Sequence, residues 1–145
     1  MIGLIQRVSW AKVQVDEQII AQIDQGILAL VGMEKNDRQE QANKLLHRLL
    51  NYRIFADENG KMNLSVMDIQ GGVLLVPQFT LAADTKKGMR PSFSSAKPPT
   101  EAQALFSYLL RQAQNLYTGV ESGQFGADMK VSLLNDGPVT FSLTV

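Results

Sequence analysis

The chain has 145 residues, with 14 basic and 14 acidic side chains, 45% hydrophobic residues and no cysteine. That length suits one domain, residues 1–145, able to bury roughly 70% of its unfolded surface. Zero net charge gives no general nucleic-acid signal, and the missing thiols exclude disulfides, thiolate nucleophiles and thiolate zinc sites.

Residues 1–34 read as β-structure. Ile2, Leu4, Val8 and Trp10 share one parity and Val13 and Val15 the other, which predicts a bulge near Ser9–Lys12. Arg7 is the lone charge in this apolar run; it either reaches solvent or braces a loop through backbone carbonyls. Asp16-Glu17-Gln18 predicts a hairpin into IIAQI, and GILALVGM reads as a strand buried on both faces. That run is far short of the roughly 18 apolar residues of a membrane span. MIGLIQRVSW also lacks the basic-then-apolar order of a secretory signal, so the cytoplasm is the expected location.

Ala42, Leu45, Leu46, Leu49 and Leu50 predict a helix over 37–51, with Asp37 as its cap and Glu40 completing a capping box. His47, the only histidine, lies roughly 130° from the centre of that stripe and reads as a solvated surface residue. YRIF (52–55) reads as a short strand and DENGK (57–61) as a turn. GGVLLVPQFTLAAD (71–84) begins as a buried strand and becomes polar at Gln78-Phe79-Thr80. Thr80 has three readings: nucleophile, hydrogen-bond donor, or simply a β-favouring residue; no base lies near it in sequence.

KKGMRPSFSSAKPP (86–99) is a long loop, of a length that is often functional. Its Lys86, Lys87, Arg90 and Lys97 form either a solvated loop or a local phosphate site that neutral net charge would conceal. A second helix is predicted over 101–116, with Thr100 and Gln103 as a capping pair. GVESGQFGADM reads as irregular, and a final hairpin presents Val139, Phe141, Leu143 and Val145 on one face. Gly137-Pro138, between KVSLL and VTFSLTV, is either a plain turn or a rigid piece of backbone aimed at a substrate. No P-loop, dinucleotide fingerprint or nucleophile elbow is present, and no cofactor or metal is expected. The fold class is α/β of the α+β type: a strongly curved mixed sheet with barrel-like β layers, and two main helices packed on one face.

Together, PQFTLAAD, GMRPSF and NDGPVTF, with IQRV near the start and KMNLSV in the middle, resemble the D-aminoacyl-tRNA deacylase family across essentially the whole chain. The resemblance implies a homodimer that hydrolyses the ester between a D-amino acid and the 3′-terminal adenosine of tRNA, and that also removes glycine mischarged on tRNA. It implies a cis Gly137–Pro138 dipeptide that enters the partner subunit's pocket and fills the space an L side chain would need. Arg7 would be its brace, Phe79 would supply a backbone N–H near the ester, Thr80 a side-chain contact and Gln78 part of the pocket, and Met129 would line it. The family usually has Ser where this chain has Pro77, so any role of that hydroxyl is absent here.

For the chemical step, assistance by the adenosine 2′-hydroxyl, with the Phe79 amide stabilising the oxyanion, competes with an acyl-enzyme on Thr80. The expected partners are aminoacylated tRNA and a second copy of the chain, with no membrane and no DNA. The alternatives are a non-catalytic RNA-binding protein that holds tRNA ends or DNA, driven by the lysine-rich loop, and a dimeric binder of free D-amino acids.

Overall fold

The computed structural model describes residues 1–86 and 88–145. In chain order the first elements are β1 (Ile2–Val15), β2 (Gln18–Ile23), β3 (Gly26–Gly32), α1 (Gln39–Asn51), β4 (Phe55–Ala56) and β5 (Met62–Leu64). Then follow β6 (Gly72–Pro77), a 3-10 helix (Phe79–Ala82), α2 (Pro99–Leu116), β7 (Val120–Ser122) and β8 (Lys130–Thr144).

β1 carries the sheet. Its first half pairs antiparallel with β3 and its second half with β2, while β8 runs antiparallel along its other edge from Ile2 to Gln14. β3 continues into a parallel pair with β6, and β6 into a parallel pair with β7. The sheet is therefore mixed, and both helices pack on one face of it, as the sequence predicts.

The apolar runs explain the layering. Residues of successive parity in a strand face opposite sides. Ile27, Ala29 and Val31 of β3, with Val73 and Leu75 of β6, face the buried stripe of α1 and residues Ala102, Leu105, Phe106 and Leu109 of α2. Leu28, Leu74 and Val76, on the opposite side, pack against Val8, Ala11, Val13, Ala21 and Ile23. β1 thus bends so that its second half and β2 fold over the back of the sheet, and β3 and β6 are covered on both faces. Among the described residues, no helix is long and apolar enough to cross a membrane.

Several sequence expectations are corrected. The bulge expected near Ser9–Lys12 is present at Ser9, where the pairing of β1 with β8 shifts between Val8 and Trp10, but a further shift lies earlier, between Gln6 and Val8, and Trp10 is exposed. The last strands do not form a hairpin, because residues 130–135 and 140–144 pair with different stretches of β1, not with each other. GVESGQFGADM contains β7, whose pairing with β6 supplies order that its composition conceals. α2 begins at Pro99, with proline in its first turn, and Thr100 makes no cap hydrogen bond. The strand expected at YRIF starts only at Phe55 and forms a hairpin with β5 across the 57–61 turn.

Asp37 does not cap α1. It is buried and accepts a 2.6 Å hydrogen bond from the Met1 ammonium and one of 2.6 Å from the Glu34 N–H. Glu34 also pairs with that ammonium at 2.9 Å, and the Val145 carbonyl accepts from it at 3.2 Å. The first turn of α1 is served instead by Gln41, whose Oε1 accepts from the Arg38 N–H at 3.0 Å. A buried charge that loses a partner is costly, so Asp37→Ala is expected to lower stability by about 2–3 kcal/mol in urea denaturation. A loss below about 0.5 kcal/mol, the size of an ordinary surface change, would show that this ion pair does not hold β1 to the turn before α1.

Candidate active site

Proline cannot donate to a ladder, and β6 stops at Pro77, opposite Val31 of β3. The chain turns at Gln78, whose N–H donates to the Val31 carbonyl at 2.8 Å, and winds into the 3-10 helix. The point where the sequence turns from buried strand to polar residues is therefore the start of a helical turn. Gly32 makes room for it: a Cβ there would lie 2.7 Å from the Leu81 Cβ and 3.1 Å from the Gln78 carbonyl oxygen.

Beside this turn lies a cavity of about 270 Å³. Val31 and Met33 of the β3 end, Pro77, Gln78 and Phe79 form one side, and Lys97, Pro99, Ala102, Phe125 and Gly126 the other. Its polar contributors are few, as in most small-ligand sites. Lys97 presents its stem rather than a free charge. It is 8% exposed, and its Nζ donates to the Lys35 carbonyl at 3.0 Å and lies 3.5 Å from Glu101. The sequence reading of Lys97 as a free loop cation is thereby corrected.

Thr80 is exposed, and its Oγ1 accepts from the Gln78 side-chain amide at 2.6 Å. An amide N–H is no base, so this contact orients the hydroxyl without activating it. His47 sits on the exposed face of α1, as predicted. Among the described residues, the N–H groups of Phe79 and Thr80 have no acceptor, as the first amides of a helix generally lack one. The groups whose ionisation the fold visibly shifts lie elsewhere. Burial raises the Tyr117 phenol, and hydrogen bonds from Ser65 lower the Asp68 carboxyl; both brace the turn at 65–71.

The second feature is in β8. Gln6 pairs with Thr140 and Val8 with Asn135, so residues 136–139 stand opposite Arg7 alone and leave the ladder. Arg7 is 16% exposed and fills the gap. Its Nε donates to the Asp136 carbonyl at 2.9 Å and its Nη1 to the Ile54 carbonyl at 2.7 Å, while Nε lies 3.4 Å from the Asp136 carboxylate. Of the two sequence readings of Arg7, the brace is the one realised. Asn135 closes the base of the excursion: its Oδ1 accepts from the Val139 N–H at 2.8 Å and its Nδ2 donates to Thr140 Oγ1 at 2.8 Å. At the tip, the Gly137–Pro138 peptide is cis, Gly137 has φ +138°, and both residues are exposed. Such a φ is one that side chains rarely adopt, and a Cβ on Gly137 would lie 2.6 Å from Val139 Cγ2.

The sequence-predicted residues thus fall into separate places. Gln78 and Phe79 line the cavity, with Thr80 beside them, whereas Arg7, Gly137 and Pro138 belong to the β8 excursion and do not line it. Met129 packs against the second core cluster, with its Sδ facing Gly123, and is not part of the lining. Lys86 and Arg90 are exposed on the loop closed by an isolated bridge between Asp84 and Ser92, whose backbones exchange hydrogen bonds of 2.8 and 3.1 Å. Lys87 lies outside the described residues. Sequence reading missed Asn135, although Asn before a turn often bonds to nearby backbone, and it missed Phe125 and Met33 in the lining.

Residues 4–144 match the family described as D-Tyr-tRNA(Tyr) deacylase. A D-aminoacyl-tRNA deacylase of Pseudomonas putida (strain W619) is 62% identical over 145 residues, covering all of both chains. One of Pseudoalteromonas translucida is 61% identical over the same full span. Among solved structures, a c-Myc DNA Unwinding Element Binding Protein superposes with a TM-score of 0.96 at 38% identity, covering 100% of this chain and 99% of that one. A probable eukaryotic D-amino acid tRNA deacylase shares the fold, with a TM-score of 0.84 at 14% identity over 98% of each chain. Over its whole described length, in sequence and in fold, the chain belongs to the D-Tyr-tRNA(Tyr) deacylase family of hydrolases.

Proposed function

We propose that the chain hydrolyses the ester linking a D-amino acid to the 3′-terminal adenosine of tRNA, and that it does so in the cytoplasm as a homodimer. Each subunit's Gly137-Pro138 would enter the cavity beside Phe79 of its partner. The observation that carries this reading is the β8 excursion: a main-chain projection held by Arg7 and Asn135, exposed, and absent from the cavity of its own chain. A projection so firmly held suits a wall better than a flexible turn. Backbone carbonyls can accept hydrogen bonds from a substrate ammonium, while overlap with the wall rejects an L side chain. Glycine has no side chain to clash, so a wall of this kind would admit glycine mischarged on tRNA as well.

Chemistry would be centred on the turn after β6. Water adds to the ester carbonyl carbon, the bond to the 3′ oxygen breaks, and that oxygen leaves with a proton, giving free amino acid and tRNA. The Phe79 N–H, without an acceptor among the described residues, would stabilise the oxyanion. The adenosine 2′-hydroxyl would help activate the water, since Thr80 is held by an amide rather than a base. Gln78 would keep the Thr80 hydroxyl oriented toward the ester. Pro77 supplies neither hydroxyl nor N–H, so neither has a part in this scheme.

A second reading is non-catalytic nucleic-acid binding, favoured by the 38% identity to a solved protein named for binding a DNA unwinding element. Incubation with D-tyrosyl-tRNA and L-tyrosyl-tRNA separates the two. Release of D-tyrosine alone supports the deacylase; binding without release supports the second reading; capture of free D-tyrosine without tRNA supports an amino-acid binder.

Thr80→Ala is expected to keep activity within about tenfold of wild type, whereas loss of a true nucleophile typically costs on the order of 10⁴-fold or more. On tRNA ending in 2′-deoxyadenosine, turnover is expected to collapse, and unimpaired turnover would refute assistance by the RNA. Arg7→Ala would release the excursion, so the ratio of kcat/KM for D- over L-tyrosyl-tRNA should fall by about tenfold or more, the equivalent of roughly 1.4 kcal/mol of lost discrimination. An unchanged ratio in a folded variant would show that Arg7 does not position the wall.

A further inference from the structure

Beyond the cavity, a second surface feature calls for a partner. Phe79 and Phe93 are 59% and 41% exposed, and their rings pack at 5.1 Å between centroids with planes tilted by 48°. Single exposed apolar residues are ordinary, but an exposed, packed aromatic pair is a surface to be covered. Phe79 is also a wall of the cavity, so the pair runs from the proposed ester site outward.

Phe93 is held firmly for a loop residue. Its carbonyl accepts from the Ala96 N–H at 3.0 Å, the adjoining Ser92 exchanges backbone bonds with Asp84, and the Ser95 hydroxyl donates to the Ala82 carbonyl. The loop beyond this stem presents Lys86, Arg90 and a fully exposed Met89. Its acid, Asp84, is engaged by the Lys86 N–H at 2.9 Å. An aromatic face flanked by cations is the arrangement that holds unpaired nucleotides, bases on the rings and phosphates on the charges.

We infer that Phe93, packed on Phe79, is a stacking residue for the unpaired nucleotide preceding the terminal adenosine of the tRNA substrate. The inference rests on the deacylase reading above and adds a positioning contact outside the ester site. The occupant is taken as RNA rather than a second copy of the chain because the pair continues from the substrate cavity and because cations flank it.

The test compares two substrates, D-tyrosyl-tRNA and D-tyrosyl-adenosine, the latter lacking the preceding nucleotide. Phe93→Ala and Phe93→Leu should each raise KM for the tRNA about tenfold, with kcat, and all hydrolysis of the nucleoside ester, changed by less than about twofold; Phe93→Trp should retain wild-type KM. Leu keeps apolar packing against Phe79 without an aromatic face, so wild-type behaviour of Phe93→Leu would overturn stacking. Equal losses on both substrates, or no loss on tRNA, would also overturn it. So would dissociation of the assembly in size-exclusion chromatography, which would make the pair a protein interface. Wild-type protein inactive on both esters would sink the deacylase reading along with this one; active protein indifferent to Phe93 would sink this one alone.

Discussion

One guanidinium ties together parts of the chain that are far apart in sequence. Arg7, in the first strand, holds the carbonyl of Ile54 after α1 and the carbonyl of Asp136 in the last strand. Guanidinium presents donors in a fixed fork, which an ammonium cannot do. Here the fork spans a defect in the β1–β8 ladder and makes that defect a fixed shape. Without a donor there, the Asp136 carbonyl would lose the partner that replaces its ladder bond. The exposed dipeptide at 137–138 is therefore held by a side chain that never needs to touch a substrate.

The division between holding and reacting runs through the whole molecule. The turn after β6 exists because Pro77 ends a ladder and Gly32 leaves space beneath Leu81. The excursion in β8 exists because Arg7 and Asn135 satisfy backbone that has left the sheet. Both features hang on strands whose buried faces form the two core clusters: β3 and β6 for the first, β1 for the second. Rigid elements hold geometry better than loops. That would suit the proposed discrimination between mirror images, where a small displacement of the wall would matter more than the strength of any acid or base.

Much of this was legible in the sequence, for physical reasons that can be named. GILALVG and GVLLV are apolar at both parities, and strands buried on both sides must be so. The stripe from Ala42 to Leu50 could only be one face of a helix. Asp37 misled because a carboxylate before a helix has two possible uses, and the structure spends it on the Met1 ammonium, a group whose position no local pattern reveals. The C-terminal segment misled for a related reason: Gly-Pro between apolar runs signals a turn, and only the distant partner, β1, shows that the strand continues beyond it. Lys97 looked free because charge is read residue by residue, whereas its ammonium is taken up by the Lys35 carbonyl and Glu101. Local chemistry was readable and long-range pairing was not, so the resemblance of whole motifs carried what periodicity could not.

The cavity and the excursion also constrain each other. A chain that used its own Gly137-Pro138 as a wall would need that tip beside Phe79, yet the tip lies at the β1–β8 edge, across the sheet order from β6. β8 pairs with β1, and β3 separates β1 from β6. Moving the tip to the cavity within one chain would mean dismantling the ladder that positions it. The proposed second copy would remove that conflict, because the excursion could stay braced by its own Arg7 while reaching another chain's cavity. In the proposed arrangement, the firmness of the brace and the call for a partner would follow from the same fact: the Gly137-Pro138 projection is built into a strand that is held in its sheet.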